Sequence, residues 1–233
     1  MTVEQFIADL DELVESVSKR VGKKKVTIFG HSWGSALGVL YAARFPAKVS
    51  AYIGSGQIGD WPASESASYT YVLDEAQRLN NRKALKELCA IGPPPHTSRA
   101  LWTQRTWLNR IEGHMNIRVL WNLGRMFLGL PELSIFDLWN LFRGFRFSLD
   151  AMWDQVSRIN LVEIAPSLQM PVFFFLGRHD HWVPSEISLA YFDALTSPSK
   201  RLVWFEESGH EPFVDEPDKF NESMAKLVRP VVV

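Results

Sequence analysis

Residues 27–35 read Thr-Ile-Phe-Gly-His-Ser-Trp-Gly-Ser, an apolar run that passes into Gly-x-Ser-x-Gly and then into small residues. This order predicts a strand, a sharp turn at Ser32 and a helix, with the serine hydroxyl directed out of the sheet. We expect Gly30 and Gly34 to let the turn close without a Cβ clash. The backbone N–H of Trp33 falls at the predicted helix N-terminus, where it can stabilise a developing oxyanion. The stretch therefore predicts a nucleophilic serine.

The flanking regions alternate between helical and strand patterns. Apolar residues at helical spacing predict a helix over 3–21, which Thr2 and Gln5 begin as a capping box and Gly22 ends. Short apolar runs predict strands over 25–29, 49–54, 172–176 and 201–205. Further helices are predicted over 33–43, 184–195 and 217–228. The pattern indicates an α/β fold with a parallel sheet of about four strands and helices on both faces.

An insertion of helical pattern separates the two α/β segments. Its helices are broken by Gly and Pro and show no convincing strand, so we predict a core of residues 1–56 and 156–233 with a helical cap over 57–155. The aromatic residues of the cap either pack it onto itself and onto the core or, in a few cases, line an apolar pocket. Six of the nine tryptophans lie there: Trp61, Trp102, Trp107, Trp121, Trp139 and Trp153.

Composition excludes several classes of partner. The chain has 233 residues, is 46% hydrophobic and carries a net charge of -1, so it shows no electrostatic footprint for nucleic acid or an anionic membrane. The longest apolar runs are far shorter than a membrane span. Cys89 is a lone cysteine and the N-terminus is acidic and amphipathic, without the basic and apolar regions of a signal peptide. We therefore expect a cytoplasmic protein with no nucleic-acid or membrane partner.

Two later motifs supply the groups that a nucleophilic serine needs. A histidine must take the serine proton, and a carboxylate must fix the tautomer of that histidine. Gly-Arg-His-Asp at 177–180 follows one predicted strand, and Ser-Gly-His-Glu-Pro at 208–212 follows the next. Serine, acid and histidine thus occur in that order, each directly after a strand.

Over essentially its whole length the chain resembles the α/β-hydrolase superfamily, and in particular the proline iminopeptidase-like branch of capped hydrolases. The resemblance rests on Gly-His-Ser-Trp-Gly-Ser at 30–35, Ile-Gly-Ser-Gly-Gln at 53–57, Phe-Leu-Gly-Arg-His-Asp at 175–180 and Ser-Gly-His at 208–210. It implies Ser32 as nucleophile, His210 as general base and then general acid, Asp180 as the orienting carboxylate and the Trp33 N–H as one oxyanion donor. It also implies an enzyme without a cofactor.

Other interpretations of these residues remain open. Ser32 could be a helix N-cap and Asp180 a turn or N-cap aspartate, with Asp60 as the rival acid. His179 and His181 flank Asp180, but residues two apart without a cluster of other ligands make a poor metal site, so we expect no metal.

The remaining histidines have structural interpretations. We expect His31 to be a packed or hydrogen-bonded residue of the turn, and His96 and His114 to lie at the surface of the cap.

The chain departs from the family pattern before residue 3. Members of the family normally carry further strands there and a His-Gly-containing loop that supplies the second oxyanion N–H. The expected fold is therefore an N-terminally truncated α/β-hydrolase. Its first strand would form an apolar sheet edge that a second copy of the chain could cover, giving a homo-oligomer.

The predicted function is a serine hydrolase that cleaves an ester or amide bond of a small, largely apolar substrate through an acyl-enzyme. The alternative is a catalytically impaired scaffold or fragment that acts by binding or assembly, and non-hydrolytic chemistry on the same triad is a minor third possibility. An aminopeptidase would need acids in the cap to hold the substrate ammonium group, yet the Trp-x-x-Trp-Glu motif of such enzymes is absent. Candidate cap residues for substrate binding are Trp102, Trp107 and Glu112, with Glu75 and Glu87 as further acids.

Overall fold

The computed structural model describes residues 1–112 and 134–232, so His114, Trp121 and their neighbours lie outside the described residues. Four strands are present in this part of the chain: β1 Val26–His31, β2 Val49–Ser55, β3 Val172–Gly177 and β4 Lys200–Phe205. The helices of its first half are α1 Val3–Val21, α2 Trp33–Arg44, α3 Trp61–Arg78, α4 Arg82–Ile91 and α5 Ser98–Glu112. Those of its second half are α6 Ile135–Val156, α7 Leu161–Ile164, α8 Ser185–Ala194, α9 Pro212–Asp215, α10 Pro217–Ser223 and α11 Arg229–Val232.

The four strands form one parallel sheet, as predicted, and their order in it is β1-β2-β3-β4. In the register, Phe29 pairs with Ile53, and Leu176 with Trp204. The carboxyl ends of all four strands therefore lie along one edge of the sheet, where the loops that follow them meet.

Burial differs between the strands in the way their positions require. Every residue of β3, which has a strand on each side, is buried. The outer strand β1 alternates, and Phe29 remains 44% exposed while its ring contacts those of Phe213 and Phe220. The side chains of β2, β3 and β4 form a continuous apolar core with the last helical segment.

Helix α1 begins and ends at the predicted residues, but its first turn is only half of a capping box. Thr2 Oγ1 accepts a hydrogen bond from the backbone N–H of Gln5 at 3.1 Å. The Gln5 side chain donates to Asp9 Oδ1 instead of returning to Thr2. Gly22 ends the helix with a φ of 66°, a left-handed conformation that glycine adopts without strain.

The C-terminal helix predicted over 217–228 is interrupted. The α-helical part ends at Ser223, and residues Met224–Val228 form a π-helical turn before α11 begins.

The described chain contains two compact units. One, the sheet unit, comprises Thr2–Ser68 and Gln155–Val233; the other, the helical unit, comprises Tyr69–Asp154 and lies within the predicted insertion. Among residues 1–112 and 134–232, no helix is both long and apolar enough to cross a membrane.

The helical unit corrects one prediction made from the sequence. His96, expected at the surface, is 7% exposed: its Nε2 lies 2.9 Å from the carbonyl oxygen of Gly92, and its own carbonyl accepts the indole N–H of Trp153. The reason is that the loop carrying His96 is packed inside the unit, where its polar groups need internal partners.

Candidate active site

Ser32 is held in a strained backbone conformation between β1 and α2. Its φ of 54° and ψ of -126° lie in a region that residues with a Cβ rarely occupy. The backbone N–H of Ser32 donates to the carbonyl of Ser55 at the end of β2. Although Ser32 stands at the N-cap position of α2, its hydroxyl makes no capping hydrogen bond. The geometry is that of a sharp strand-to-helix turn, with the hydroxyl not engaged as a cap.

The two glycines of the motif are not equivalent. A Cβ on Gly30 would lie 2.5 Å from the carbonyl oxygen of Gly34 and 2.7 Å from the Cα of Ser35, so only glycine fits there. A Cβ on Gly34 would meet nothing within 4 Å. The expectation that both glycines prevent a Cβ clash is therefore wrong for Gly34. The backbone of Gly34 is instead what a Cβ on Gly30 would collide with.

Ser35 anchors the turn, a role that the sequence pattern did not reveal. Its buried hydroxyl donates to the carbonyl of Ser32 at 2.6 Å and accepts the backbone N–H of Ile58 at 2.9 Å. The Tyr52 hydroxyl lies 2.8 Å from the Ser35 carbonyl and 2.7 Å from Gln57 Oε1. The strained turn is thus fixed to the loop that follows β2, and its strain is offset by these buried hydrogen bonds.

Asp180 and His210 are in direct contact beyond the ends of β3 and β4. Asp180 Oδ2 lies 2.8 Å from His210 Nδ1, and Asp180 Oδ1 accepts the backbone N–H groups of Trp182 and Val183. Asp180 is 3% exposed, so its carboxylate is fixed by three donors. A carboxylate can only accept, which places the imidazole proton on Nδ1 and leaves Nε2 with its lone pair.

His210 also lies against the turn that carries Ser32. Its ring centroid is 4.6 Å from that of His31, the residue before Ser32. A Cβ on Gly56, next to Ser55, would lie 2.7 Å from His210 Cε1. The structure thus brings Asp180 and His210 together as a pair and sets this pair beside the Ser32 turn.

His31 is held neutral at this position. Its Nδ1 lies 3.2 Å from the carbonyl of Ser55, which requires Nδ1 to carry the proton. Burial, followed by the proximity of His210, lowers the pKa of His31 to about 4. At neutral pH the ring therefore packs against His210 without placing a positive charge beside it.

The match to a known family agrees with this geometry. Residues 4–217 match a protein family that is defined by the alpha/beta hydrolase fold. The chain belongs to the alpha/beta hydrolase family. This alpha/beta hydrolase is 29% identical over 240 residues to the "Probable aminopeptidase YbaC" of Bacillus subtilis (strain 168). The alignment covers 98% of this chain and 73% of that protein. It is 37% identical over 81 residues to the "AB hydrolase superfamily protein YclE" of the same organism, covering 34% of the chain and 28% of that protein.

Solved structures show the same fold. The structure of Rv0554 from Mycobacterium tuberculosis has a TM-score of 0.61 at 19% identity and covers 100% of this alpha/beta hydrolase and 74% of that chain. The structure of a thermophilic esterase from Thermogutta terrifontis has a TM-score of 0.56 at 18% identity. The match covers 100% of this alpha/beta hydrolase and 74% of that chain.

One rival interpretation of the alpha/beta hydrolase site, in which Asp60 is the acid, loses support. Asp60, the rival acid, accepts the backbone N–H of Ala63 at 3.0 Å and thereby caps α3. Within residues 1–112 and 134–232, no three His, Cys, Asp or Glu side chains are grouped so that they could hold a metal ion.

The candidate substrate residues of the insertion occupy different environments in the helical unit. Trp102 lines a cavity of about 510 Å³, together with Arg99 and Arg146. Trp107 is buried, and its indole N–H donates to Glu87 at 2.8 Å. Both carboxylate oxygens of Glu112 are buried.

Glu75, the remaining candidate acid, makes a bidentate ion pair with Arg78 on the same helix.

Proposed function

We propose that this alpha/beta hydrolase cleaves an ester or amide bond through an acyl-enzyme formed on Ser32. The observation that carries the proposal is the 2.8 Å contact between Asp180 and His210 beside a strained turn at Ser32. In this proposal Ser32 is the nucleophile, His210 the general base and Asp180 the group that orients the imidazole.

In the first step, the Ser32 hydroxyl attacks the substrate carbonyl carbon while its proton moves to His210 Nε2. The imidazolium so formed is stabilised by Asp180 through Nδ1. The tetrahedral intermediate then loses its alcohol or amine, which takes the proton from Nε2. Water attacks the acyl-enzyme in the same way, and the acid product leaves Ser32 free.

The negative oxygen of the tetrahedral intermediate needs donors. The Trp33 backbone N–H, at the N-terminus of α2, is the donor that we assign from the chain described here. The dipole of this 12-residue helix favours a negative charge at the same place.

The substrate class follows from the relatives and from the aromatic surroundings of the turn. The relative YbaC is a probable aminopeptidase, which supports an amide bond next to a substrate amine, whereas the ester remains the simpler chemical test. Trp33 lies beside Ser32, and its ring contacts those of Phe6 and Trp61. An acyl group that packs on these rings would be small and apolar.

Labelling and turnover together test the proposal. A fluorophosphonate should label the parent at Ser32, as located by peptide mass spectrometry, and Ser32→Ala should neither be labelled nor hydrolyse p-nitrophenyl acetate. Ser50→Ala is a matched control, because Ser50 lies at the opposite end of β2 and its hydroxyl contacts Thr27. Hydrolysis by Ser32→Ala at the parental rate would exclude Ser32 as nucleophile. A folded parent that neither reacts nor hydrolyses would favour the scaffold alternative.

Amide and ester substrates separate the two subclasses. The parent should be compared on the p-nitroanilides of proline and alanine, with free and acetylated amino groups, and on the corresponding esters. A preference for the free amino group would support an aminopeptidase, whereas indifference to it would support an esterase.

A further inference from the structure

Trp182 contacts both members of the Asp180–His210 pair. Its backbone N–H donates to Asp180 Oδ1 at 3.0 Å. Its indole ring is stacked on the His210 imidazole, with centroids 5.7 Å apart and an angle of 17° between the planes. One residue thus holds the carboxylate with its backbone and covers the imidazole with its side chain.

The stack distinguishes between the two charge states of the imidazole. The face of an indole ring carries partial negative charge and attracts a cation within about 6 Å of its centroid. The attraction acts on the imidazolium and much less on the neutral ring. An interaction that is stronger after proton transfer than before it stabilises the transition state more than the ground state.

The other titratable groups around His210 are compatible with the imidazolium form of its ring. Asp180 faces Nδ1, and His31 is kept uncharged against the ring. Shortly after His210, Asp215 at the end of α9 accepts the backbone N–H of Gly209, and Glu216 accepts a hydrogen bond from the hydroxyl of Ser208. These acids fix the loop, whereas the indole lies nearly parallel to the imidazole plane in an offset stack.

We propose that the Trp182 indole is a positioning residue that stacks on His210 and stabilises its imidazolium form during proton transfer. The inference rests on the proposed function, because it assigns His210 the role of base. The two contacts can be separated by substitution, because every side-chain variant keeps the backbone N–H to Asp180 while the stack on His210 is removed or weakened.

The test compares Trp182→Leu, which removes the aromatic face, with Trp182→Phe, which retains a weaker one. In Trp182→Leu we expect kcat to fall about threefold to thirtyfold with little change in KM, the range that loss of a cation–π contact implies. The acidic limb of the pH–rate profile should move to lower pH, since the imidazolium loses its partner. Trp182→Phe should be intermediate in both. Trp204→Leu is the matched control, because Trp204 stacks on Arg178 instead.

A second measurement needs no turnover. The His210 ring is titrated by NMR in a Ser32→Ala background, with and without Trp182→Leu, after circular dichroism has confirmed that both are folded. We expect a lower titration midpoint when the indole is absent. An unchanged midpoint, or a Phe variant as impaired as the Leu variant, overturns this inference. Failure of the proposed function would show instead as parental hydrolysis by Ser32→Ala. If Trp182→Leu does not fold, the same comparison is made with Trp182→Phe.

Discussion

Replacing Asp180 by asparagine removes the charge of the side chain while keeping its shape. In the parent, Oδ1 accepts two backbone N–H groups and Oδ2 faces His210 Nδ1. The asparagine carbonyl has to take the Oδ1 position. An NH2 group there would face two backbone N–H donors and leave them without an acceptor, which costs about 1 to 3 kcal/mol for each unsatisfied group. The NH2 group then points at Nδ1. The imidazole must accept there and carry its proton on Nε2, so it cannot take the proton of Ser32.

The expected result is a large loss of rate with a small loss of stability. We expect kcat to fall by about 10³- to 10⁴-fold, the effect of holding the wrong tautomer of a catalytic histidine. The free energy of unfolding should fall by only about 1 to 2 kcal/mol, because the two backbone hydrogen bonds persist and the third is reversed and loses its charge. Hydrolysis of p-nitrophenyl acetate, the rate of fluorophosphonate labelling and urea unfolding measure these quantities on one preparation.

Asp60→Asn is the matched control for this experiment. Asp60 also follows a strand, but its carboxylate caps Ala63, a role that asparagine fills equally well. Its rate should equal that of the parent. The tautomer argument is refuted if Asp180→Asn keeps its rate within about tenfold of the parent, or if both variants lose the same activity.

Three further predictions concern the turn at Ser32. Burial holds the pKa of His31 at about 4 in the folded protein, against 6.5 in the unfolded chain. As the pH falls below 6.5, His31 is therefore protonated in the unfolded chain before it is protonated in the folded protein. Urea unfolding should therefore show a loss of about 1 to 3 kcal/mol between pH 7 and pH 4 in the parent that His31→Gln lacks. Ser35→Ala leaves the buried N–H of Ile58 without its acceptor and should lower the free energy of unfolding by about 2 to 4 kcal/mol. Gly30→Ala should destabilise by about 3 kcal/mol or more in thermal denaturation, whereas Gly34→Ala should be neutral or stabilising by up to about 1 kcal/mol. Equal effects of the two alanines would contradict the steric argument.

Sequence patterns predicted those features that neighbours along the chain decide. The apolar spacing of residues 3–21 and the glycine after them specify α1 and its end. The apolar runs specify four strands, and the absence of short hairpin connections between them specifies that they are parallel. Serine, acid and histidine each come directly after a strand of one parallel sheet, which placed all three at the same edge of that sheet.

The predictions that failed depend on contacts between distant residues or on a choice between partners. The Gln5 side chain donates to Asp9 and not to the backbone of Thr2 at the start of its helix. His96 is buried because its carbonyl accepts the indole of Trp153, 57 residues further along the chain. The stack of Trp182 on His210, about which the sequence made no prediction, likewise joins two loops. No periodicity carries such information, since a loop side chain takes its direction from the tertiary structure.

The strand order adds a requirement to the site that the sequence pattern does not contain. Ser32 follows β1 and His210 follows β4, the two outer strands, which lie three strand spacings or about 14 Å apart. The loop after β4 must therefore run back across the ends of β3 and β2 before His210 can reach the Ser32 turn. At the end of β3 a Cβ on Gly177 would lie 1.9 Å from the carbonyl oxygen of Gly209, and beyond β2 a Cβ on Gly56 would collide with the His210 ring. These two glycines are visible in the sequence, yet the need for them arises only because the strands are arranged so that acid and base must cross the sheet to meet the serine.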